Sequence, residues 1–437
     1  MLPKLVTEIP GPRSRALATR LRRHESQNIT YVDPEFPVFW ERAAGTNVWD
    51  ADGNRFLDLT SGFAVAGLGF GPPEIVEAIR DQAGTLYHAM GDVHPTELKV
   101  LLCEELSAIT FERWDAGSGK CVLASSGSEA VEAALKTAFI HTKKRGVIAF
   151  EGAYHGLGYG ALETSGMPYF REPFLKQLAD FAKFVPFPQT AEALPEIERQ
   201  IRAIINGNDI GAILVEPLQG RAGEIVPPLE FLPILRRICD ENSLLLVVDE
   251  IYTGFNRTGK LFACDHFHVI PDLICLGKGL TSGFPLSACV AKAEIMDSWP
   301  ESSGEALHTS TFLGNPLGCR MALASIALHR HPATEQLVFT QGNTLKNALQ
   351  KILPVRGLGL MIGMEIVRPD GSPDGPEAIR LVKTALRDGL LFLAGGMAGN
   401  VLSFTPPFAI SDEEIRFVAD WLGGKIQTKI ENRKSRI

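Results

Sequence analysis

No apolar run in this sequence approaches the roughly 20 residues needed to span a bilayer; the short Leu244–Val248 is representative. There is no CxxC pair either. The seven cysteines, Cys103, Cys121, Cys239, Cys264, Cys275, Cys289 and Cys319, are odd in number and never closer than 11 residues. That excludes a disulfide framework and the common zinc spacings. Several sit in apolar runs, such as Cys275 in DLICLG and Cys289 in LSACVA, where a thiol behaves as a small hydrophobe. A reducing, cytoplasmic setting is expected. Basic charge is not in excess. With 43 Lys and Arg against 51 Asp and Glu, the net charge is −8, so neither nucleic acid nor a membrane is an expected partner. No internal repeat and no secretory leader is visible. The five arginines 13, 15, 20, 22 and 23 are interleaved with Glu8 and Glu25, and Pro12–Glu25 reads as an amphipathic helix with a solvated basic face.

What remains is an ordinary globular composition, 45% hydrophobic and 22% charged over 437 residues. At about 150 residues per domain that is two or three domains. The middle alternates apolar runs with helical patterns. Val147–Phe150, Ile210–Val215, Leu244–Val248, Leu273–Leu276 and Leu286–Ala291 lack strict alternation, as strands buried on both faces do. Glu129–Lys143, Ala191–Ile205 and Leu229–Glu241 read as the intervening helices. This is an α/β pattern with a largely parallel sheet and sites at the carboxyl ends of strands. The ends differ. Residues 46–59 carry an Asp-Gly hairpin signal, and 355–367 reads as a strand. A helix is expected near 377–388 and another strand before Pro406-Pro407. Residues 1–61 and 326–437 are expected to form a smaller α+β domain, and residues 62–325 a central α/β domain.

Several segments carry chemistry. In SSGSEAVEAALKTA (125–138), Ser126 and Glu129 have capping-box spacing. Gly127 and Ser128 then occupy a helix N-terminus, where free N–H groups favour an anion. Asp249 and Glu250 end the most apolar run of the chain, and buried carboxylates need partners. Lys278 follows an apolar run between Gly277 and Gly279, glycines that would clear space around it. Desolvation there would lower its pKa and make the amine nucleophilic. Tyr154 and His155 follow a strand among glycines, where an aromatic could stack on a flat ligand. Ser310 and Thr311 precede a Gly-Asn-Pro turn. Two patterns mislead. Gly254-x4-Gly259-Lys260 is followed by Leu261 rather than Ser or Thr, so it is no P-loop. His266-x-His268 lacks a third ligand nearby, so no metal site is expected.

Together these pieces resemble the class III aminotransferases, pyridoxal-phosphate enzymes of fold type I. The matching segments are SSGSEAVEAALK, AYHG, VEPLQGRAGEIVPP, VVDEIYTGFNRTGKLFA, CLGKG and TSTFLGNPLGC, in the family's order. The resemblance implies a large cofactor-binding α/β domain and a small domain from both chain ends. It implies that Lys278 holds pyridoxal 5'-phosphate as a Schiff base and later moves a proton. Asp249 would pair with the pyridine nitrogen. Ser126, Gly127 and Ser128 would bind the phosphate, and Tyr154 would stack on the ring. Thr311 would reach the phosphate from the neighbouring subunit of a homodimer. Glu216 would be a nearby buried carboxylate.

Three positions depart from the family's pattern. Tyr252 stands where Gln often contacts the cofactor's phenolic oxygen; its hydroxyl could donate the same bond. Arg221 stands where many members have Glu. Ser403 stands where an Arg often binds the α-carboxylate, and no Lys or Arg occurs between Arg387 and Arg416. Arg221 therefore either holds a substrate carboxylate or pairs with an internal acid such as Glu224. The implied activity is ping-pong transfer of an amino group from an amine, ω-amino or β-amino acid donor to a 2-oxo acid or aldehyde, through an internal aldimine on Lys278. An aminomutase of the glutamate-1-semialdehyde type, a racemase or a decarboxylase would use the same cofactor. A non-catalytic scaffold would have no need of both Lys278 and Asp249.

Overall fold

The computed structural model describes residues 1–29 and 36–434, without the side chains of 427–434. No helix among the described residues is long and apolar enough to cross a membrane. The chain divides into two compact units, residues 73–335 and residues 1–72 with 336–437.

The larger unit is built on a seven-stranded sheet. Its strands are β1 (Gly119–Ala124), β2 (Gly146–Phe150), β3 (Ala182–Val185), β4 (Ile210–Val215), β5 (Leu245–Asp249), β6 (Leu273–Leu276) and β7 (Ser287–Lys292). Their spatial order is β1-β7-β6-β5-β4-β2-β3. Only β7 runs against its neighbours; the other contacts are parallel. This is the expected α/β architecture, and the five expected strands lie within a residue or two of their observed bounds. The apolar runs divide by alternate residues into two cores. Ile213, Val215, Leu246, Val248, Ile274 and Leu276 face one side. Ala212, Leu214, Leu245, Val247, Leu273 and Cys275 face the other. Both faces are covered, so neither tolerates a polar residue until the strand ends.

Helices α1 (Glu97–Ser107), α2 (Gly127–Thr142), α3 (Leu194–Gly207), α4 (Phe231–Asn242) and α5 (Pro316–His329) flank the sheet. A 3-10 turn, Ala191–Ala193, precedes α3 where one continuous helix was expected. Pro195 explains the break, since it fits only the first turn of an α-helix.

The smaller unit holds two four-stranded sheets. In one, Asn47–Asp50 and Arg55–Asp58 pair antiparallel around the Asp52-Gly53 turn. Gly53 there has φ +87°, which only glycine adopts cheaply. Asp52 also accepts from Arg13 N (2.7 Å) and Ser14 N (2.9 Å), capping the helix Pro12–Leu21 whose own N-cap, Gly11, has no side chain. All five N-terminal arginines are exposed. In the other sheet the single strand expected over 355–367 is instead a hairpin, Val355–Leu358 and Met361–Glu365. The reason is Gly359 at φ +53°, which turns the chain back. The unit's own core includes Leu57, Ile362, Leu381, Phe404 and Val418.

At the end of β5 two adjacent carboxylates part company. Glu250 points into packed protein, where Oε1 accepts from Cys264 N at 2.7 Å and Oε2 from the Thr253 hydroxyl. Burial pushes its pKa up to about 7, against the lowering effect of those bonds. A raised folded-state pKa gives stability that is full below the unfolded value and lost as pH rises through the folded one. Unfolding free energy should therefore fall between about pH 4.5 and pH 7. In Glu250→Gln that part of the slope should disappear, as read by urea denaturation at several pH values. An unchanged slope would show that Glu250 is ionised throughout.

Candidate active site

Four strand ends and one helix end converge on a cavity of about 320 Å³. It is lined by Gly127 and Ser128 from the start of α2, Tyr154 to Leu157 after β2, Glu216 after β4, Asp249, Ile251 and Tyr252 after β5, and Lys278 after β6. Of the candidate residues, Ser126 and Arg221 are not part of this lining. Thr311 lies outside it too, exposed on the chain surface.

Helix α2 begins as its sequence suggests. The Ser126 hydroxyl accepts from Glu129 N at 3.3 Å. The Glu129 carboxylate reaches one residue further back than in a capping box, to Ser125 N at 2.7 Å. The amides of Gly127 and Ser128 have no acceptor among the described residues and open on the cavity. A Cβ on Gly127 would lie 2.9 Å from Ile251 Cδ1, so glycine lets the helix start pack against the turn after β5. The Ser128 hydroxyl is engaged by Gly158 N at 2.9 Å. Gly156, at φ +122°, brings that loop so close that a Cβ would sit 2.6 Å from the Ser128 Cβ.

Asp249 is buried and turned to the cavity. Its Oδ1 accepts from Ile251 N at 3.0 Å, and its Oδ2 lies 2.8 Å from His155 Nδ1. The His155 ring is fully buried, and its Nε2 has no partner among the described residues. Nothing in the sequence pattern assigns this histidine a role. The two residues are 94 positions apart, and a histidine after a strand is a weak signal.

Glu216 ties two loops together. One oxygen accepts from Tyr154 N at 2.9 Å and the other from Gly220 N at 3.2 Å. Burial pushes its pKa up to about 7; His155 opposes that shift and Asp249 adds to it. The loops so joined bring Arg221 over Tyr154, its guanidinium carbon 5.3 Å from that ring and 5.5 Å from the Phe170 ring. Arg221 is exposed and makes no hydrogen bond or ion pair with the described residues. Glu224 is buried, and among the described residues no ion pair joins it to Arg221.

Lys278 opens a 3-10 turn, Lys278–Leu280, with φ +43°. That left-handed conformation is costly for a lysine and persists only where the surroundings impose it. Close packing on either side of it holds it in place. A Cβ on Gly279 would lie 2.9 Å from Phe255 Cβ, and one on Gly277 3.3 Å from Ile251 Cγ2. Their space is filled by neighbouring side chains; it is not clearance around the amine. Burial lowers the Lys278 pKa to about 8, with Asp249 and Glu216 resisting and Arg221 and Arg257 assisting. An amine of that pKa is both a nucleophile and a proton carrier near neutral pH.

Beside the Gly-rich turn 254–259, His266 Nε2 lies 3.1 Å from the Thr258 carbonyl oxygen. The cavity thus offers unpartnered amides at one helix end, a buried carboxylate, an aromatic side chain and a basic amine. That donor set matches pyridoxal phosphate group for group: phosphate, ring nitrogen, ring face and aldehyde.

Comparison with known proteins agrees. Residues 30–424 match the family model described as Aminotransferase class-III. The chain is 38% identical over 440 residues to the 4-aminobutyrate aminotransferase of Mycobacterium leprae (strain TN), covering 94% of this chain and 95% of that protein. It is 32% identical to the alanine/serine racemase of Pyrococcus horikoshii, covering 98% and 95%. Among solved structures, an amine transaminase from an uncultivated Pseudomonas species in its PLP-bound form superposes with a TM-score of 0.84 at 26% identity, covering 93% of this chain and 98% of that one. The chain belongs to the class III aminotransferases, enzymes of fold type I that depend on pyridoxal phosphate.

Proposed function

We propose that this aminotransferase takes its amino group from donors that carry a carboxylate away from the reacting amine, as ω- and β-amino acids do. The observation that carries this reading is Arg221, a guanidinium stacked over Tyr154 at the cavity and without an acidic partner among the described residues. A planar guanidinium suits bidentate binding of a carboxylate. The 4-aminobutyrate aminotransferase relatives act on a donor of this kind by their name.

Bound pyridoxal phosphate supplies an electron sink for the charge left when a proton leaves the carbon bearing the amino group. The chain's own residues do the rest. The Gly127 and Ser128 amides hold the phosphate at the start of α2, with Ser126 capping that helix. Asp249, oriented by His155, keeps a proton on the ring nitrogen. Tyr154 covers one ring face. Glu216 fixes the loops of Tyr154 and Arg221. Tyr252 lies beside the amine. Lys278 would hold the cofactor through its amine and, when that amine is free, would hold or move a proton on Nζ.

The functional unit in this reading is a homodimer in which Thr311 completes the partner's phosphate site. Support comes from an exposed apolar surface near Thr311. Tyr87, Met90, Val93, Leu307 and Phe312 are all exposed. Their two segments are joined by the Asn315 Nδ2 bond to Tyr87 O (3.0 Å) and the His88–Phe312 ring contact. Exposed apolar groups in such numbers mark an interface. The units 73–335 and 1–72 with 336–437 correspond in this reading to the large and small domains. The seven free cysteines fit a reducing cytoplasm.

A racemase reading has one observation in its favour, the 32% identity to the alanine/serine racemase over 98% of the chain. The two separate when amines are added to the holoenzyme without any oxo acid. A transaminase loses the visible absorption of its bound cofactor; a racemase keeps it and exchanges the α-hydrogen of an amino acid with solvent.

For the transaminase, Arg221→Ala should raise KM for 4-aminobutyrate or β-alanine about 10- to 100-fold, the worth of a charged hydrogen bond. For a neutral amine such as 1-phenylethylamine KM should change less than about threefold, a difference worth under 1 kcal/mol. Equal effects on both substrates would remove the carboxylate from Arg221. Thr311→Val should weaken cofactor binding about tenfold in equilibrium dialysis, one lost hydrogen bond, while leaving the sedimentation of the dimer unchanged. Unaltered cofactor affinity would place Thr311 outside the phosphate site.

A further inference from the structure

Lys278 rests on the face of an aromatic ring. Its Nζ lies 4.1 Å from the centroid of Tyr252, well inside the roughly 6 Å over which an ammonium is attracted by a ring's negative face. Both ends of this contact are fixed. The lysine leaves the chain from a turn held in the left-handed region at φ +43°, with Gly279 packed on Phe255. The tyrosine follows Ile251, whose N–H bonds Asp249 and whose side chain fills the space beside Gly127 and Gly277. One turn therefore sets the carboxylate, the wall of the helix start and the ring.

We propose that Tyr252 is a positioning residue for Lys278, its ring face holding the protonated amine whenever that nitrogen is not bonded to the cofactor. The role belongs to the ring and not to the hydroxyl. It rests on the reading of Lys278 as the cofactor lysine. The cavity needs such a device because the released amine would otherwise be drawn elsewhere. Asp249 and Glu216 attract it, Arg221 and Arg257 repel it, and His155 is committed to Asp249. A ring face holds an ammonium without competing for its proton, whereas a carboxylate could take that proton. It also favours the ammonium over the neutral amine, and so offsets part of the burial that brings the Lys278 pKa down to about 8.

The test uses the full-length, cofactor-free chain and its Tyr252→Phe and Tyr252→Met variants. Phe keeps the ring face and loses the hydroxyl; Met keeps similar apolar volume and loses the ring. Each protein is pulse-labelled with acetic anhydride across pH 6 to 10, and acetylation of Lys278 is read by peptide mass spectrometry. The midpoint should be the same in the parent and in Phe, and about one pH unit lower in Met, the shift expected for loss of a desolvated cation–π contact. An unmoved midpoint in Met, or a Phe shift as large as that of Met, would overturn the proposal. A parallel sample with added pyridoxal phosphate separates the two claims. If the cofactor fails to protect Lys278 in the parent protein, the assignment of the cofactor lysine falls, whatever the ring does.

Discussion

The site depends on what happens when a strand buried on both faces comes to its end with a carboxylate. Asp249 closes β5, the strand at the centre of the sheet, and it is buried there. A buried carboxylate is tolerable only with partners. The Ile251 amide and the His155 ring supply them. Meeting that need fixes the turn after β5 and the loop after β2 at once. Ile251 then packs under Gly127 and Gly277, which sets the start of α2 and the approach to Lys278. The chemistry of the cavity follows from a sheet too well covered to leave its own charges to solvent.

The neighbouring groups share one electrostatic setting. Burial raises Glu216 and lowers Lys278, so a partly protonated acid and a partly neutral amine share the cavity around pH 7. Both shifts favour uncharged forms, as desolvation must. The resulting amine can bond a carbonyl and carry a proton without extreme pH. Arg221 stands apart. It is exposed, over the ring of Tyr154 that lines the cavity, and its charge is unspent among the described residues. That division, with tuned groups inside and a fixed charge outside, is what a substrate with separated amine and carboxylate requires.

The sheet was legible because its signal is local. Ile210–Val215 and Leu273–Leu276 are apolar without interruption, and they form strands over those same residues. The start of α2 was legible for the same reason, since Ser126, Gly127 and Glu129 lie within one turn. What was not legible is long-range. His155 gives no sign in sequence that it will meet Asp249 across 94 residues. The glycines around Lys278 suggested an open space, but they admit Phe255 and Ile251, which no spacing rule reveals. That the ring of Tyr252 lies 4.1 Å from the Lys278 amine is likewise a contact no spacing rule reveals. In the smaller unit, 355–367 looked like one strand because its apolar residues continue through a turn that only the backbone of Gly359 discloses.

The central claim is that this cavity seats pyridoxal phosphate on Lys278. Reduction of the holoenzyme with borohydride, followed by proteolysis and mass spectrometry, tests it most directly, because reduction makes the bond between cofactor and lysine permanent. The account predicts one phosphopyridoxyl group per chain, carried by the peptide containing Lys278 and by no other. A cofactor fixed on a different lysine, such as Lys120 on β1 or Lys292 on β7, would contradict it.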